Sequence, residues 1–415
     1  MSLALYRLSW LLLLPVALIR LIVRGRREPA YLRHVRERLG CYSQRPGLEL
    51  IWLHAVSVGE TRAAQPLIEG LLAQFPSCQV LITHTTPTGR ATSEQLFGGR
   101  VLRAYLPYDC LPAVRGFLRH FRPRVGILLE TELWPELVHA AAAGGMPLFL
   151  VNARLSRRSA RGYARLAGLT RATLRGLSGI TAQSRSDARR LRALGARRVD
   201  VFGNLKYDVR PAVDAEATAR TFRAWMGGRA AVLAASTRAG EEALLLDAWL
   251  RAATDGCLLV IVPRHPQRFD EVARLVTERG LVLARRSRHE PIGAAHVWLG
   301  DSLGELHAYY MAAEVALIGG SFLDYGGQNP IEPCVVGTPA IVGPHTHNFA
   351  AVVRAGIGAG ALLRAADADE AVRMALGLIG DRERRAAHAG AGREFARRHQ
   401  GSSERTLTWL APSIR

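Results

Sequence analysis

Twice along this chain, short apolar runs of strand length alternate with longer stretches of helical period, and this double alternation sharply narrows the folds open to it. In the first block, residues 48–54, 79–84, 101–106, 125–130, 147–152, 179–183 and 199–203 read as strands, with helices at 63–75, 111–121, 135–143 and 186–193. The second block repeats the pattern with strands at 231–235, 258–263, 281–284, 297–300, 315–319 and 339–342, and a helical tail rich in Ala and Arg follows from Ala366. Such alternation builds parallel, doubly wound sheets. At 415 residues the chain exceeds what one core usually supports, so two α/β domains in tandem are expected. The expected plan is an N-terminal helical segment 1–26, a first Rossmann-like domain 27–210, a polar linker 211–221 containing Pro211, and a second Rossmann-like domain 222–415. The terminal helices are free to pack back on the first domain. Ligands in such sheets lie beyond the carboxyl ends of the strands, so the two domains are expected to face each other across a cleft.

The amino terminus is a separate problem. Residues 8–19 are Leu, Val, Ala and Ile, interrupted only by Ser9, Trp10 and Pro15, and Leu21, Ile22 and Val23 continue past Arg20. About twenty residues of this kind suffice to cross a hydrocarbon core as a helix. Arg20, Arg24, Arg26 and Arg27 crowd the far flank, which by the positive-inside rule places that flank and the rest of the chain in the cytoplasm. Arg7 and Arg20 interrupt the apolar run, so a helix lying in the interface is a second reading. A cleaved secretory signal would carry its charges before the apolar run.

The formal net charge of +20 favours anionic partners. Basic residues interleaved with exposed aromatics, as a nucleic-acid surface requires, are not evident. Acidic membrane lipid and phosphorylated or carboxylated substrates are therefore the expected partners. The cysteines, Cys41, Cys78, Cys110, Cys257 and Cys334, are odd in number and widely spaced, a pattern of neither a disulfide framework nor a zinc site.

The chemistry-bearing residues cluster at predicted strand ends. IWLHAVSVGE, residues 51–60, runs from a strand through a small-residue loop to Glu60 at a helix start. A carboxylate there serves as a helix cap or, in a cleft, as a general base. LLETELWPE, residues 128–136, places Glu130 and Glu132 at the end of another apolar run. Lys206, within VFGNLKYD, is the one lysine among 55 cationic side chains, which points to a need for a compact ammonium where a planar fork would not serve. In the second block Arg264 and His265 follow the strand at 258–263, and Arg offers bidentate recognition of phosphate or carboxylate. GDSLGEL, residues 300–306, reads as a turn into a helix with Ser302 as N-cap. GGSFLDYGGQNPIEP, residues 319–333, is a Gly-rich loop in which Ser321, Gln328 and Asn329 border amides that can approach an anion, with Glu332 placed to hold a ribose diol. PAIVGPHTHNF, residues 339–349, adds His345 and Asn348. The single D-x-D string, Asp367 to Asp369, reads as a helix cap, so no metal site is expected.

Six strings in order now resemble a known family: HAVSVGE ending at Glu60, ETELWP from Glu130, NARLS from Asn152, FGNLKYD around Lys206, VPRHP from Val262, and GGS…GGQNPIE ending at Glu332. Together they are similar to the bacterial Kdo (3-deoxy-D-manno-octulosonic acid) transferases of lipopolysaccharide synthesis, and the resemblance covers the chain to about Phe349. It implies a GT-B glycosyltransferase fold, with the acceptor on the N-terminal domain and the nucleotide on the C-terminal one. It also implies CMP-Kdo as donor, a lipid A precursor (lipid IVA) as acceptor, and the cytoplasmic side of the inner membrane as the place of work. Glu60 matches the family's general base, and Glu130 and Lys206 match positions that stabilise the transition state. Pro263, Arg264, Leu303, Gly304, Glu305, Asn329, Pro330, Ile331 and Glu332 match the CMP-contacting segments, to which His265 and Ser321 belong by position. Inverting single displacement is the expected mechanism. A GT-B transferase or epimerase acting on a UDP sugar, or a non-catalytic membrane protein that binds nucleotides, are the alternatives.

Overall fold

The computed structural model describes residues 1–254, 256–289 and 292–415. Two compact units result: Met1–Val209 together with Gln400–Arg415, and Arg210–His399. The first contains β1 (Glu49–His54), β2 (Cys78–His84), β3 (Leu102–Tyr105), β4 (Val125–Leu129), β5 (Leu148–Ala153), β6 (Gly179–Ala182) and β7 (Val199–Val201). They form one parallel sheet in the order β3-β2-β1-β4-β5-β6-β7. The second contains β8 (Ala231–Thr237), β9 (Leu258–Pro263), β10 (Leu283–Arg285), β11 (Val297–Leu299), β12 (Val315–Ile318), β13 (Ala340–Val342) and β14 (Leu362–Arg364). Their order is β10-β11-β9-β8-β12-β13-β14, again all parallel.

Each central strand is apolar on both sides because helices cover both faces. Along β1, Leu50 and Trp52 point into a core with Phe117 and Phe121, while Ile51 and Leu53 join Leu67, Ile68 and Leu71 on the opposite face. The strand alternation of side chains thus feeds two cores from one segment. Leu407, Leu410 and Ile414 of the final helix, Ser402–Ile414, complete the second of these cores. In the other unit Val232, Leu259, Ile261, Val297 and Leu317 pack against Leu245, Leu246 and Val372.

Both sheets reverse their winding once, between β1 and β4 in the first and between β8 and β12 in the second. Crevices open at such points, where successive connections leave in opposite directions.

Three sequence expectations change. The helix expected over 63–75 is Gln65–Gln74, starting later because Pro66 can sit in a first turn but not inside one, and a separate short helix, Val58–Ala63, precedes it. The linker expected at 211–221 is largely the helix Ala215–Met226, which buries Ala215, Ala219, Phe222 and Met226 at helical spacing. Ser302 does not cap the following helix, which runs Leu306–Ala312 with Glu305 at the cap position. The Ser302 hydroxyl meets the Tyr309 hydroxyl at 3.2 Å instead. The strand β14 lies beyond those foreseen. Asp367 does cap a helix, accepting the Glu370 amide at 2.8 Å.

Candidate functional site

In the first unit the loops after β1 and β4, the two strands at the reversal, carry the acidic residues singled out in the sequence. Ser57, with extended backbone, starts the helix Val58–Ala63 and sets Glu60 in its first turn. The Glu60 carboxylate reaches back to accept the Val56 amide at 2.6 Å, one residue before Ser57 at the cap position. The same loop is held from the adjoining strand: His84 Nδ1 donates to the Ala55 carbonyl at 2.8 Å and the Thr86 hydroxyl to the Val56 carbonyl at 3.0 Å. Glu60 thus fastens its own loop, and that bond aims the carboxylate.

Glu130 follows β4 with φ at +57°, a left-handed conformation unusual for a residue with a side chain. Lys206 Nζ donates to its Oε1 at 3.1 Å, and both side chains are largely buried. The turn Leu205–Asp208 presents the lysine. Asn204 Oδ1 accepts the Lys206 amide at 3.1 Å, and Asn152 Oδ1, from a residue also at positive φ, accepts the Leu205 amide at 3.2 Å.

Burial sets the protonation of this cluster. It is the first cause that raises Glu60 to about 8; the neighbouring Glu130 charge adds to the rise, while the Val56 amide and Lys206 oppose it. Burial likewise raises Glu132 to about 7. His54 and His84, at the ends of β1 and β2, are pushed the other way, to about 3 and about 4, again chiefly by burial. Both imidazoles are neutral near pH 7. His54 binds Thr83 through Nδ1 and brings Nε2 within 3.9 Å of Glu132 Oε2. A carboxylate whose proton affinity lies near working pH, beside an oriented ammonium, is what proton removal with charge stabilisation requires.

The second unit gathers its own set beyond β11, β9, β8 and β12, which are adjacent in the sheet. Gly319 and Gly320 let the loop after β12 lie against the loop after β8: a Cβ on Gly319 would meet the Ser236 carbonyl oxygen at 2.5 Å, and Gly320 has φ at +68°. Glu241, fully buried, clamps the two loops by accepting the Arg238, Gly320 and Phe322 amides at 2.8, 2.6 and 2.9 Å. Burial raises its affinity for a proton and the three amides oppose that rise. Glu242 accepts the Thr237 hydroxyl and the Arg268 guanidinium at 2.7 and 2.5 Å. Arg264 and His265 are exposed just past β9. His265 Nε2 takes a hydrogen bond from Arg238 at 2.9 Å, consistent with an imidazole kept neutral by partial burial and by Arg238, Arg264 and Arg268 around it. Pro263 ends β9.

Ser321 is fully buried, and its hydroxyl is used within the loop, donating to the Ile318 carbonyl and accepting the Gly343 amide at 2.7 Å. Asn329 Oδ1 accepts the Ile331 amide at 3.2 Å and its Nδ2 donates to Glu332 at 3.0 Å, so Pro330 and Ile331 sit inside a closed turn. Leu303 is 70% exposed, Gly304 has φ at +87°, and Glu305 pairs with Arg286 at 2.8 Å. His345 lies 3.6 Å from Asp324, and Asn348 donates to the Tyr325 carbonyl at 2.9 Å.

With this geometry in hand, the relatives are decisive. A profile described as "3-Deoxy-D-manno-octulosonic-acid transferase (kdotransferase)" matches residues 33–209. The 3-deoxy-D-manno-octulosonic acid transferase of Bordetella pertussis is 47% identical across 90% of this chain and 89% of its own length. The chain belongs to the Kdo transferase family. The Haemophilus influenzae Kdo transferase, 34% identical, covers 94% of this chain and 93% of itself. Kdo glycosyltransferase activity follows. Among solved structures, a UDP-GlcNAc 2-epimerase from Neisseria meningitidis matches with a TM-score of 0.58 at 14% identity, over 88% of this chain and all (100%) of that one. Anabaena HepE, solved with UDP-glucose, gives 0.59 at 13% identity, covering 88% and 99%. These likenesses show the GT-B fold alone.

Several residues around this candidate site were given no role by motif reading. Asn152 and Asn204 present Lys206, His84 and Thr86 hold the Glu60 loop, and Glu241 and Glu242 fasten the glycine loop. The signal was present for some of them: Asn152 and Asn204 stand within the strings quoted above, and Glu241 and Glu242 stand together just after Gly240.

Proposed function

We propose that this enzyme moves Kdo from CMP-Kdo to a hydroxyl of a lipid A precursor such as lipid IVA, at the cytoplasmic face of the inner membrane. The observation that carries the reading is the raised Glu60 carboxylate beside the Lys206–Glu130 pair. The acceptor hydroxyl oxygen attacks the anomeric carbon of Kdo, the bond from that carbon to the phosphate oxygen breaks, and CMP leaves with the electron pair. The hydroxyl proton passes to Glu60. One displacement from the opposite face inverts the anomeric centre, as in inverting glycoside hydrolysis. Lys206, presented by its asparagine-held turn, stabilises negative charge that grows as the bond breaks. The donor is held in the second unit by Arg264, His265, the turn Leu303–Gly304–Glu305 and the loop Asn329–Glu332, with Ser321 shaping that loop from within. The arginine cluster of Arg238, Arg264 and Arg268 suits a phosphodiester and a sugar carboxylate.

Purified enzyme given CMP-Kdo and tetraacylated lipid A precursor yields a product heavier by Kdo in mass spectrometry; turnover of UDP sugars alone overturns the donor assignment. Glu60→Gln lowers the rate by roughly 10²–10⁴ while CMP-Kdo still binds. If it transfers Kdo at the parental rate, Glu60 is not the base. No divalent metal is required in this reading, because the D-x-D residues serve otherwise: Asp367 caps its helix and Asp369 pairs with Arg251 at 2.9 and 3.0 Å. EDTA therefore leaves the rate unchanged, and a rate restored only by added Mg²⁺ refutes this.

A further inference from the structure

The N-terminal helix, Leu3–Arg27, is long and apolar enough by length and composition to cross a bilayer, with a mean hydropathy of 1.8 over an 18-residue window. Its contacts argue for another placement. Arg7 forms a two-pronged ion pair with Glu136, at 2.6 and 2.9 Å, and the Glu136 side chain is fully buried in the first unit. From the adjacent residue, the Tyr6 hydroxyl donates to Asp109 at 2.8 Å. Asp109 in turn accepts the Glu136 and Leu137 amides at 3.0 and 2.8 Å, closing the start of the helix Pro135–Ala143. Trp10 lies 6.1 Å from Tyr108, ring to ring. At the other end, Leu21 and Gly25 are buried, the Arg24 guanidinium stacks over Tyr31 at 4.1 Å, and any side chain at Gly25 would collide with Leu32.

From residue 7 to residue 24 a helix rises about 25 Å, most of a hydrocarbon core. The first two turns are fastened to the unit that follows the helix, so a perpendicular crossing would drag Asp109 and Glu136 through the bilayer. The exposure pattern agrees: Leu3, Tyr6, Arg7, Trp10, Leu14, Ala17, Leu18, Leu21 and Gly25 are shielded at helical spacing, whereas Leu5, Leu8, Leu12, Val16, Ile19 and Val23 form an unbroken exposed stripe on the other side. Arg20, Arg24, Arg26 and Arg27 are exposed near one end of it. Near the other end, a side chain at Gly168 would meet the Met1 carbonyl at 3.8 Å, and the preceding helix Arg157–Arg165 exposes Arg157, Arg158, Arg161 and Arg165. An apolar stripe bordered by arginines matches acyl chains beneath anionic headgroups.

We propose that this helix lies in the plane of an anionic phospholipid surface, docked on the first unit by the Tyr6–Asp109 and Arg7–Glu136 contacts, and does not cross the bilayer. The proposal rests on the membrane-face reading above. The docked helix Pro135–Ala143 starts directly after the loop that carries Glu130 and Glu132, so the lipid contact holds that loop at the membrane surface.

The full chain, tagged at both ends, is expressed and its inner membranes are prepared as sealed inverted vesicles. An in-plane helix leaves both tags open to added protease; a protected N-terminal tag with an exposed C-terminal tag overturns the proposal. Purified full chain is then floated with vesicles of phosphatidylethanolamine and phosphatidylglycerol. The triple variant Leu12→Asp, Val16→Asp, Ile19→Asp changes only exposed positions and partitions about tenfold or more weakly. A variant that floats like the parent refutes the stripe as the lipid contact. A parent chain that floats with no vesicle instead sinks the membrane-face reading itself.

Discussion

Glu60, in the first turn of its helix, ties down the loop before it by accepting the Val56 amide, and the same bond fixes where its carboxylate points. A carboxylate that fastens its loop and one proposed as a base occupy the same place, which is why sequence position alone left the readings open. Since Glu60 accepts a proton only when ionised, kcat/KM is lost as pH falls through its value of about 8. Glu130 raises that value by like-charge repulsion, so Glu130→Gln moves the acid limb of the pH–rate profile to lower pH, even as the rate falls. A limb that stays in place means that the titrating group is not Glu60. The neutral histidines under the loop were not legible as site residues, because an imidazole at the end of a buried strand looks the same in sequence whether it is charged, ligating or simply enclosed. Only the partners reveal it: His84 Nδ1 is spent on the Ala55 carbonyl.

At the scale of elements, the strands and most helices were readable because burial on both faces forces continuous apolar runs of strand length. The short β14 and the helix Ala215–Met226 were not. The first is three residues long, and the second starts soon after Pro211 among polar residues that resemble a linker. Its buried positions 215, 219, 222 and 226 carried the helical period all the same. The glycine loop after β12 was legible as a loop, but its fastening was not, since Glu241 lies 79 residues before Gly320. Glu241→Ala leaves three amides without their acceptor in a buried place and is expected to cost roughly 2–4 kcal/mol of unfolding free energy. Urea denaturation measures it. CMP binding weakens in parallel, and a variant with parental stability and affinity shows the clamp to be dispensable.

For the whole molecule, both sheets are parallel fans that reverse beside a central strand, with Glu60 and Glu130 on the loops leaving the reversal of the first sheet and Lys206 following its edge strand β7. The final helix belongs to the first unit, where Leu410 is completely buried. Leu410→Ala removes a core side chain there and costs about 2–5 kcal/mol, seen as a lower midpoint in the transition of the first unit. An unchanged midpoint would place that helix outside the unit's cooperative core. The membership has a consequence for biosynthesis. Residues 210–399 form an insertion within the first unit, so a growing chain can finish folding its second unit while the first still lacks Leu407, Leu410 and Ile414. Glu60 therefore rests on a completed core only once residue 414 has been made, and a chain cut before Ser402 carries a well-formed second unit attached to an unfinished first one.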